Sequence, residues 1–250
     1  MNLPPFFVGY AGRMPTNYAR IVRMFIVGAA LSCIGGVAIM ALAQNKLSPG
    51  IYEYGKPRPF EGVIYAQPIP MLRTLDPVTH RALIYVLVGA TKVAVPADVL
   101  KLDGKKVKFE GTLIQRGSQR MIEYSSPETL RILGEPAAPE LRPASESLGA
   151  MTLRGEVVDT KCFFGAMRPA TGKVHRGCAI RCLSGGVPPG LRVQDGDGHE
   201  TIFLLAGNDG KPLNLDVQLA GLDVEVKGDV ELQDNVAVVH AKSIERIVSN

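Results

Sequence analysis

"LAGLDVEVKGDVELQDNVAVVHAKSIERIV", residues 219–248, has the same layout as "LDGKKVKFEGTLIQRGSQRMIEYSSPETLRIL", residues 102–133. Each stretch begins with Leu-x-Gly, continues as an alternating strand pattern and then carries a glycine, Gly228 or Gly111. Each then turns, alternates a second time and ends on an apolar tip. Such self-similarity is typical of a duplicated structural unit. The sequence therefore predicts two copies of one small β domain.

The segments upstream of the two stretches also follow one order. A glycine-bearing strand pattern comes first, "FEGVIYAQP" or "LRGEVVDTK", and a strand pattern that ends in glycine follows, "ALIYVLVG" or "TIFLLAG". A short link then precedes the two alternating strands. Five strands with a short helix before the fourth are the plan of an OB-fold barrel. A single β-sandwich made of all ten strands is the alternative architecture.

These patterns predict the fold class and the domain boundaries. We expect a mainly β protein with two tandem OB-like five-stranded barrels, domain 1 at residues 56–135 and domain 2 at residues 151–250. Residues 136–150 are rich in Pro, Ala and Glu, which predicts a linker between the domains. OB barrels carry many unrelated functions, so the fold alone indicates no activity.

An uncharged apolar run, "MFIVGAALSCIGGVAIMALA", precedes the β domains. A run of twenty residues is long enough to cross a bilayer as a helix, and we predict a transmembrane helix at residues 21–43. Three basic residues and no acidic ones precede this run, so residues 1–20 are expected to be a cytoplasmic leader. The alternative is a cleaved secretory signal, because Ala41-Leu42-Ala43 matches a cleavage site.

Both interpretations place the body of the protein outside the cytoplasm. We expect a single-pass protein of the bacterial inner membrane with a periplasmic body, in a compartment that permits disulfides. The chain from Gln44 onward is nearly neutral, with 25 basic and 24 acidic side chains. Binding to duplex nucleic acid needs a broad basic footprint, and domain 1 has no aromatic cluster spaced for base stacking. We therefore expect no nucleic-acid partner.

Domain 2 differs from domain 1 by an insertion after its first strand, "DTKCFFGAMRPATGKVHRGCAIRCLSGGVPPG", residues 159–190. In OB barrels the loop between the first two strands is a usual ligand-binding part. The segment "KVHRGCAIRCL" predicts a short helix that "SGG" ends and "PPG" prevents from continuing. On such a helix His175, Cys178 and Cys182 would share one face.

These residues form a candidate metal site. If Cys162 folds back onto the helix, the set Cys162, His175, Cys178 and Cys182 offers three thiolates and one imidazole, which suits tetrahedral zinc or another transition metal. Basic side chains, among them Lys161 and Arg176, surround the cysteines in sequence without any acidic residue between Thr160 and Cys182. Such surroundings favour thiolates over thiols.

A disulfide and a reactive thiol are the competing interpretations. In an oxidising compartment exposed cysteines tend to pair. Residues at i and i+4 of a helix have Cβ atoms roughly 5–6 Å apart, whereas a disulfide needs about 3.5–4.5 Å, so Cys162 with Cys178 or Cys182 is the favoured bond. One of these three thiols then stays unpaired, which leaves a thiol available for redox chemistry.

The motif "GEVVDTKC…GKVHRGCAIRCLSGGVPPGLRV" resembles a group of poorly characterised bacterial exported proteins. Members of that group look like small OB-type domains that carry Asp-x-x-Cys, then His-x-x-Cys-Ala-x-x-Cys and a glycine-containing turn. The similarity covers residues 153–248 and implies that Asp159 belongs to one site with the four candidate ligands. It implies no reaction.

The sequence favours a non-enzymatic role over catalysis. We expect a membrane-anchored periplasmic accessory or binding protein that serves a redox or metal-cofactor system through the Cys/His site. Its expected partner is a membrane complex or a periplasmic redox protein. One alternative is a thiol-disulfide or metal-transfer protein that works through Cys178 and Cys182. Another is a structural assembly subunit whose loop is stapled by a disulfide.

Overall fold

The computed structural model describes residues 14–44, 50–76, 78–135 and 145–248. Most of the predicted leader and residues 136–144 of the predicted linker lie outside the described residues. The chain divides after Leu47 into two compact units. The first contains helix α1, and the second contains the β-strands of the described residues.

Helix α1, Thr16–Gln44, contains the apolar run. Its segment Thr16–Ala43 has a mean hydropathy of 2.3, and by length and composition it is apolar enough to cross a membrane. At 1.5 Å per residue the 29-residue helix is about 44 Å long, which exceeds the roughly 30 Å of a bilayer core. Large apolar side chains such as Phe25 and Ile39 are exposed along it. The helix begins five residues before the predicted transmembrane segment.

Domain 1 is a closed five-stranded barrel. Its elements are β1 (Ile51–Tyr52), β2 (Arg58–Tyr65), β3 (Met71–Leu75), β4 (Ala82–Gly89), α2 (Ala97–Leu100), β5 (Lys106–Arg116), β6 (Gln119–Tyr124) and β7 (Arg131–Gly134). The pairing runs β2–β3–β4–β6–β5 and returns to β2, and β4 and β6 are parallel. The short strands β1 and β7 each add to β5.

Domain 2 repeats this topology. Its elements are β8 (Ser145–Asp159), α3 (Gly172–Ser184), β9 (Pro189–Gln194), β10 (Glu200–Gly207), β11 (Asp223–Gln233) and β12 (Val236–Arg246). The barrel closes in the order β10–β12–β11–β8–β9, and β10 and β12 are parallel. A 3₁₀ turn, Val217–Leu219, stands before the fourth strand, as α2 does in domain 1. The prediction of two tandem OB-like barrels is confirmed, and the single-sandwich alternative is wrong.

The repeated glycine has the same role in both barrels. Gly111 and Gly228 are each the sixth residue of the fourth barrel strand, β5 or β11. A Cβ atom on Gly111 would overlap the side chain of Ile122, and one on Gly228 would overlap the backbone oxygen of His240. Both neighbours belong to the fifth strand, β6 or β12. The glycine therefore allows the close approach with which each barrel closes.

A shared apolar core joins the two barrels. Val86 and Met121 from domain 1 are buried in one cluster with Phe164, Cys182 and further residues from domain 2. Each barrel also has a core of its own, which contains Phe109 and Ile122 in domain 1. The predicted insertion is therefore part of the contact between the barrels.

A polar contact reinforces this interface at the turn between β11 and β12. Arg73 Nε of β3 donates to Asp234 Oδ2 at 2.7 Å, and the arginine is 3% exposed. The backbone N–H of Ile84 donates to Asn235 Oδ1 at 2.8 Å. The side chain of Gln119 donates to the Asn235 carbonyl oxygen at 3.1 Å. The hairpin of domain 2 is thus bound to three strands of domain 1.

Replacing Asp234 by Asn is expected to lower the free energy of unfolding by about 1.5–3 kcal/mol, because the buried guanidinium loses its charged acceptor. Asparagine tolerates the positive φ of 48° at this position, so the backbone is not the cause of the loss. Urea unfolding of the full chain in detergent measures the change. The matched control is Asp229→Asn, whose half-exposed ion pair with Lys242 contributes at most about 1 kcal/mol. Equal losses in the two variants would contradict the interface described above.

Candidate functional site

The insertion runs from the end of β8 to the start of β9, between the first two strands of domain 2. Its first part is a π-helical turn, Cys162–Ala166, and its second part is α3. The predicted helix is confirmed, with Gly172–Ser184 as its bounds. The backbone N–H of Gly185 donates to the Arg181 carbonyl oxygen at 3.1 Å, where the sequence predicts the helix end.

The three cysteines of the insertion lie together. Cys162 Sγ is 3.8 Å from Cys178 Sγ and 3.9 Å from Cys182 Sγ, and the three sulfur atoms all lie within 4.8 Å of one another. All are free thiols in this structure, since a disulfide would bring two sulfur atoms to about 2.05 Å. Thiolates on one tetrahedral metal ion with bonds of about 2.3 Å have sulfur atoms about 3.8 Å apart. The two distances from Cys162 Sγ match this value.

The thiols of Cys162 and Cys182 influence each other's ionisation. Both are buried, and their sulfur atoms form a hydrogen bond. This bond, burial and the Asp159 carboxylate raise the pKa of Cys162 far above its usual range. The same bond, and the nearby Lys92 ammonium, lower the pKa of Cys182. The pKa values of the two thiols are therefore shifted in opposite directions, that of Cys162 upward and that of Cys182 downward.

Asp159 and His175 form a second buried pair. His175 Nε2 lies 2.9 Å from Asp159 Oδ2, and the backbone N–H of Cys162 donates to Asp159 Oδ1 at 2.8 Å. Asp159, Cys162 and His175 form a second group whose ligand atoms lie within 4.8 Å of one another. The predicted ligands thus fall into two overlapping groups that share Cys162. In this geometry Asp159 orients both the imidazole and the Cys162 backbone.

The cation nearest the thiols comes from domain 1. Lys92, in the turn between β4 and α2, places its Nζ 2.6 Å from Cys178 Sγ and 3.9 Å from Cys182 Sγ. The hydrogen bond to Cys178 is the main cause that raises the pKa of Lys92. Sequence reasoning missed this residue, because no spacing or local motif connects a lysine of one barrel with the cysteines of the other.

The turn that carries Lys92 is fixed against the end of α3. The backbone N–H of Ala94 donates to the Gly185 carbonyl oxygen at 2.7 Å. A Cβ atom on Gly185 would overlap the Lys92 carbonyl oxygen. The sequence pattern predicts only that "SGG" ends the helix. Its first glycine also allows domain 1 to approach the cysteines.

Lys161 lies in domain 2 but binds to domain 1. It is 3% exposed, and its Nζ donates to the carbonyl oxygens of Gly89 at 2.9 Å and Thr91 at 2.5 Å. It also forms an ion pair with Glu123, which accepts a hydrogen bond from Tyr52. Lys161 therefore holds the turn that carries Lys92.

Arg176, the other predicted supporting cation, points away from the sulfur atoms. Its Nη2 donates to the Gln218 carbonyl oxygen at 2.8 Å and so ties α3 to the 3₁₀ turn of domain 2. Arg168 likewise binds the Gly50 carbonyl oxygen. Lys92, which the sequence did not indicate, is the cation that forms hydrogen bonds with Cys178 and Cys182.

An open cavity of about 790 Å³ gives access to the site. Cys162 and Cys182 line it together with Lys92, Lys161 and Arg181, and Tyr52 lies on the domain 1 side. Two of the three sulfur-bearing residues therefore face a space into which a ligand or solvent can enter.

The arrangement supports two kinds of chemistry, binding of a thiophilic metal ion and thiol redox reactions. No protein-family model matches the chain, and no curated protein sequence matches it. The assignment of chemistry therefore rests on the contacts of the described residues.

Replacing Gly185 by Ala is expected to lower the free energy of unfolding by about 1–3 kcal/mol, because the new methyl group overlaps the Lys92 backbone. Gly177→Ala is the matched control, since a Cβ atom there meets nothing within 4 Å and alanine is favoured inside a helix by up to about 1 kcal/mol. Thermal unfolding in detergent compares the two variants. A change of the same sign in both would show that the close approach at Gly185 is not a constraint.

The metal-free protein is expected to form one thiolate below the pH at which an ordinary cysteine ionises, because the pKa of Cys182 is lowered. Lys92→Met removes a neighbouring cation and should move this step to higher pH. Thiolate absorbance in a background of Cys33→Ser and Cys178→Ser follows the titration. Lys173→Met, an exposed cation on the same helix, is the control and should leave the step in place. An unchanged titration in Lys92→Met would contradict the effect of the Lys92 charge on Cys182.

Proposed function

We propose that this protein is a membrane-anchored extracytoplasmic accessory protein that binds one thiophilic transition-metal ion through Cys162, Cys178 and Cys182. The observation that carries the proposal is the spacing of the sulfur atoms, 3.8 and 3.9 Å from Cys162 Sγ to the other two. Thiolate ligands favour copper(I) and zinc over harder ions, so these two ions are the proposed cargo or cofactor.

The charge of the site supports a bound cation. Three thiolates around a divalent ion carry one net negative charge, and the Lys92 ammonium beside Cys178 compensates it. Asp159 fixes Cys162 through its backbone N–H and holds His175 beside it. Such outer contacts orient metal ligands and exclude alternative geometries. His175 is thus proposed as a neighbour of the metal, held by Asp159, rather than as a fourth ligand.

The cavity supports a role in transfer or exchange. Cys162 and Cys182 face it, so a three-sulfur site would keep one side open to an incoming ligand. A metal site with an open position suits delivery to a partner better than a closed structural site does. We therefore propose that the partner is a membrane complex or a periplasmic redox protein that receives or uses the metal.

Helix α1 supports the proposed location. It is long and apolar enough to span a bilayer, and the described residues Arg20 and Arg23 lie toward its N-terminal end. Positive charge on that side favours a cytoplasmic N-terminus, and we propose that both barrels lie on the opposite face of the membrane.

A thiol-disulfide or metal-transfer protein that works through Cys178 and Cys182 is the second candidate function. The contact between Lys92 Nζ and Cys178 Sγ favours it, because an ammonium beside a sulfur atom stabilises thiolate. The lowered pKa of Cys182 favours it as well. Under this alternative the protein would hold no stoichiometric metal, and two thiols would interconvert with a disulfide.

Metal content of the full chain tests the proposal. Protein purified in detergent without chelator is expected to carry one copper or zinc ion per chain, measured by elemental mass spectrometry. Cys162→Ser, Cys178→Ser and Cys182→Ser should each lose it, because two thiolates are left. Cys33→Ser is the matched control. Cys33 lies in α1, so its replacement is expected to leave the metal content unchanged.

Two results would refute metal binding at this site. One is metal-free protein that takes up neither copper(I) nor zinc at micromolar concentration. The other is equal metal content in Cys33→Ser and in the three insertion variants. Reversible disulfide formation in the metal-free protein would then favour the second candidate.

A further inference from the structure

Lys92 and Cys178 belong to different barrels but make the closest contact of the sulfur cluster. Their Nζ and Sγ atoms are 2.6 Å apart. An N–H···O hydrogen bond has a usual length of about 2.9–3.0 Å, and sulfur is a larger atom than oxygen. The two atoms are therefore closer than a hydrogen bond to sulfur requires. A single oxygen atom bonded to both would span a separation of this size.

We propose that Lys92 and Cys178 are an oxidative modification site at which peroxide installs a nitrogen–oxygen–sulfur cross-link between the two barrels. The inference goes beyond the proposed function and does not require a bound metal. It depends on the position of one lysine amine and one thiol, which the fold brings together.

The reaction uses two molecules of hydrogen peroxide. In the first step the Cys178 thiolate attacks one peroxide oxygen, the O–O bond breaks, and sulfenic acid and hydroxide form. In the second step the sulfenic acid loses its O–H proton and the Lys92 ammonium loses two protons, and a nitrogen–oxygen bond forms. The second peroxide accepts the two electrons, and the step yields two molecules of water and one proton. Sulfur and nitrogen are each oxidised by two electrons, and the two peroxide molecules are reduced.

The surroundings hold the two groups in place and leave them accessible. Lys161 binds the carbonyl oxygens of Gly89 and Thr91, just before Lys92, and the backbone N–H of Ala94, just after it, donates to Gly185. Lys92 is exposed and lines the open cavity, and Cys178 is half-buried. The competing thiol, Cys162, is buried and 3.8 Å from Cys178, so a disulfide requires a larger movement than the cross-link does.

Such a cross-link would have two consequences for the protein. It would join the turn after β4 covalently to α3, across the interface that Gly185 already brings close. It would also remove Cys178 from the three-sulfur group. Oxidation at this position would therefore abolish the site without a disulfide.

Mass spectrometry of the full-length protein in detergent tests the proposal. Protein stripped of metal by a chelator is treated with hydrogen peroxide and digested without reductant. The expected product is one linked species that contains Lys92 and Cys178, with the summed mass of both peptides plus one oxygen and minus two hydrogen atoms. Incubation with a thiol reductant is expected to separate the two peptides. Fragmentation locates the link at these two residues.

Matched variants define the outcomes. Lys92→Arg keeps the positive charge and should reduce the linked species to background, as should Cys178→Ser. Lys173→Arg on the exposed face of α3 should keep it. Three results would overturn the proposal. Cys178 could be recovered only in a disulfide, or only as sulfinic acid beside an unmodified Lys92 peptide. It could also be recovered in a direct sulfur–nitrogen bond without the added oxygen. A cross-link in protein that binds no copper or zinc would support this proposal and refute only the metal site.

Discussion

The close contact between the Gly185 backbone and the turn at Lys92 is the constraint on which the candidate site depends. It brings a cation from domain 1 to the cysteines of domain 2, and no side chain larger than hydrogen fits between the two backbones. The shared apolar core and the pair between Arg73 and Asp234 keep the barrels in the same arrangement. The site is therefore a property of two docked barrels rather than of the cysteine motif alone.

The end of β8 has an equally direct effect on the chemistry. Asp159 is the last residue of that strand, and its carboxylate binds both the Cys162 backbone and His175. A rigid strand thus determines where the first cysteine of the cluster lies, and α3 determines where the other two lie. Placing ligands on regular elements fixes their distances more accurately than a mobile loop would. The same carboxylate contributes to the raised pKa of Cys162.

Much of the fold could be predicted from the sequence, because each barrel repeats one local pattern. Alternating strands, the glycine at the sixth position of the fourth strand and the helix stop at "SGG" are all local signals. The contact between Lys92 and Cys178 is not local, since it joins residues 86 positions apart. The binding of Lys161 to Gly89 and Thr91 could not be predicted either. In the sequence, a lysine that is buried against backbone carbonyls looks the same as a lysine that stabilises the thiolate of the neighbouring cysteine. Charge near cysteines in sequence is therefore a poor guide to charge near them in space.

We propose that the three sulfur atoms bind one metal ion without a change of the fold. X-ray absorption spectroscopy of the full-length protein loaded with zinc or copper(I) tests it most directly, because the fine structure reports the type, number and distance of the ligand atoms. We expect three sulfur ligands at about 2.3 Å. A first coordination sphere of nitrogen and oxygen alone would contradict it.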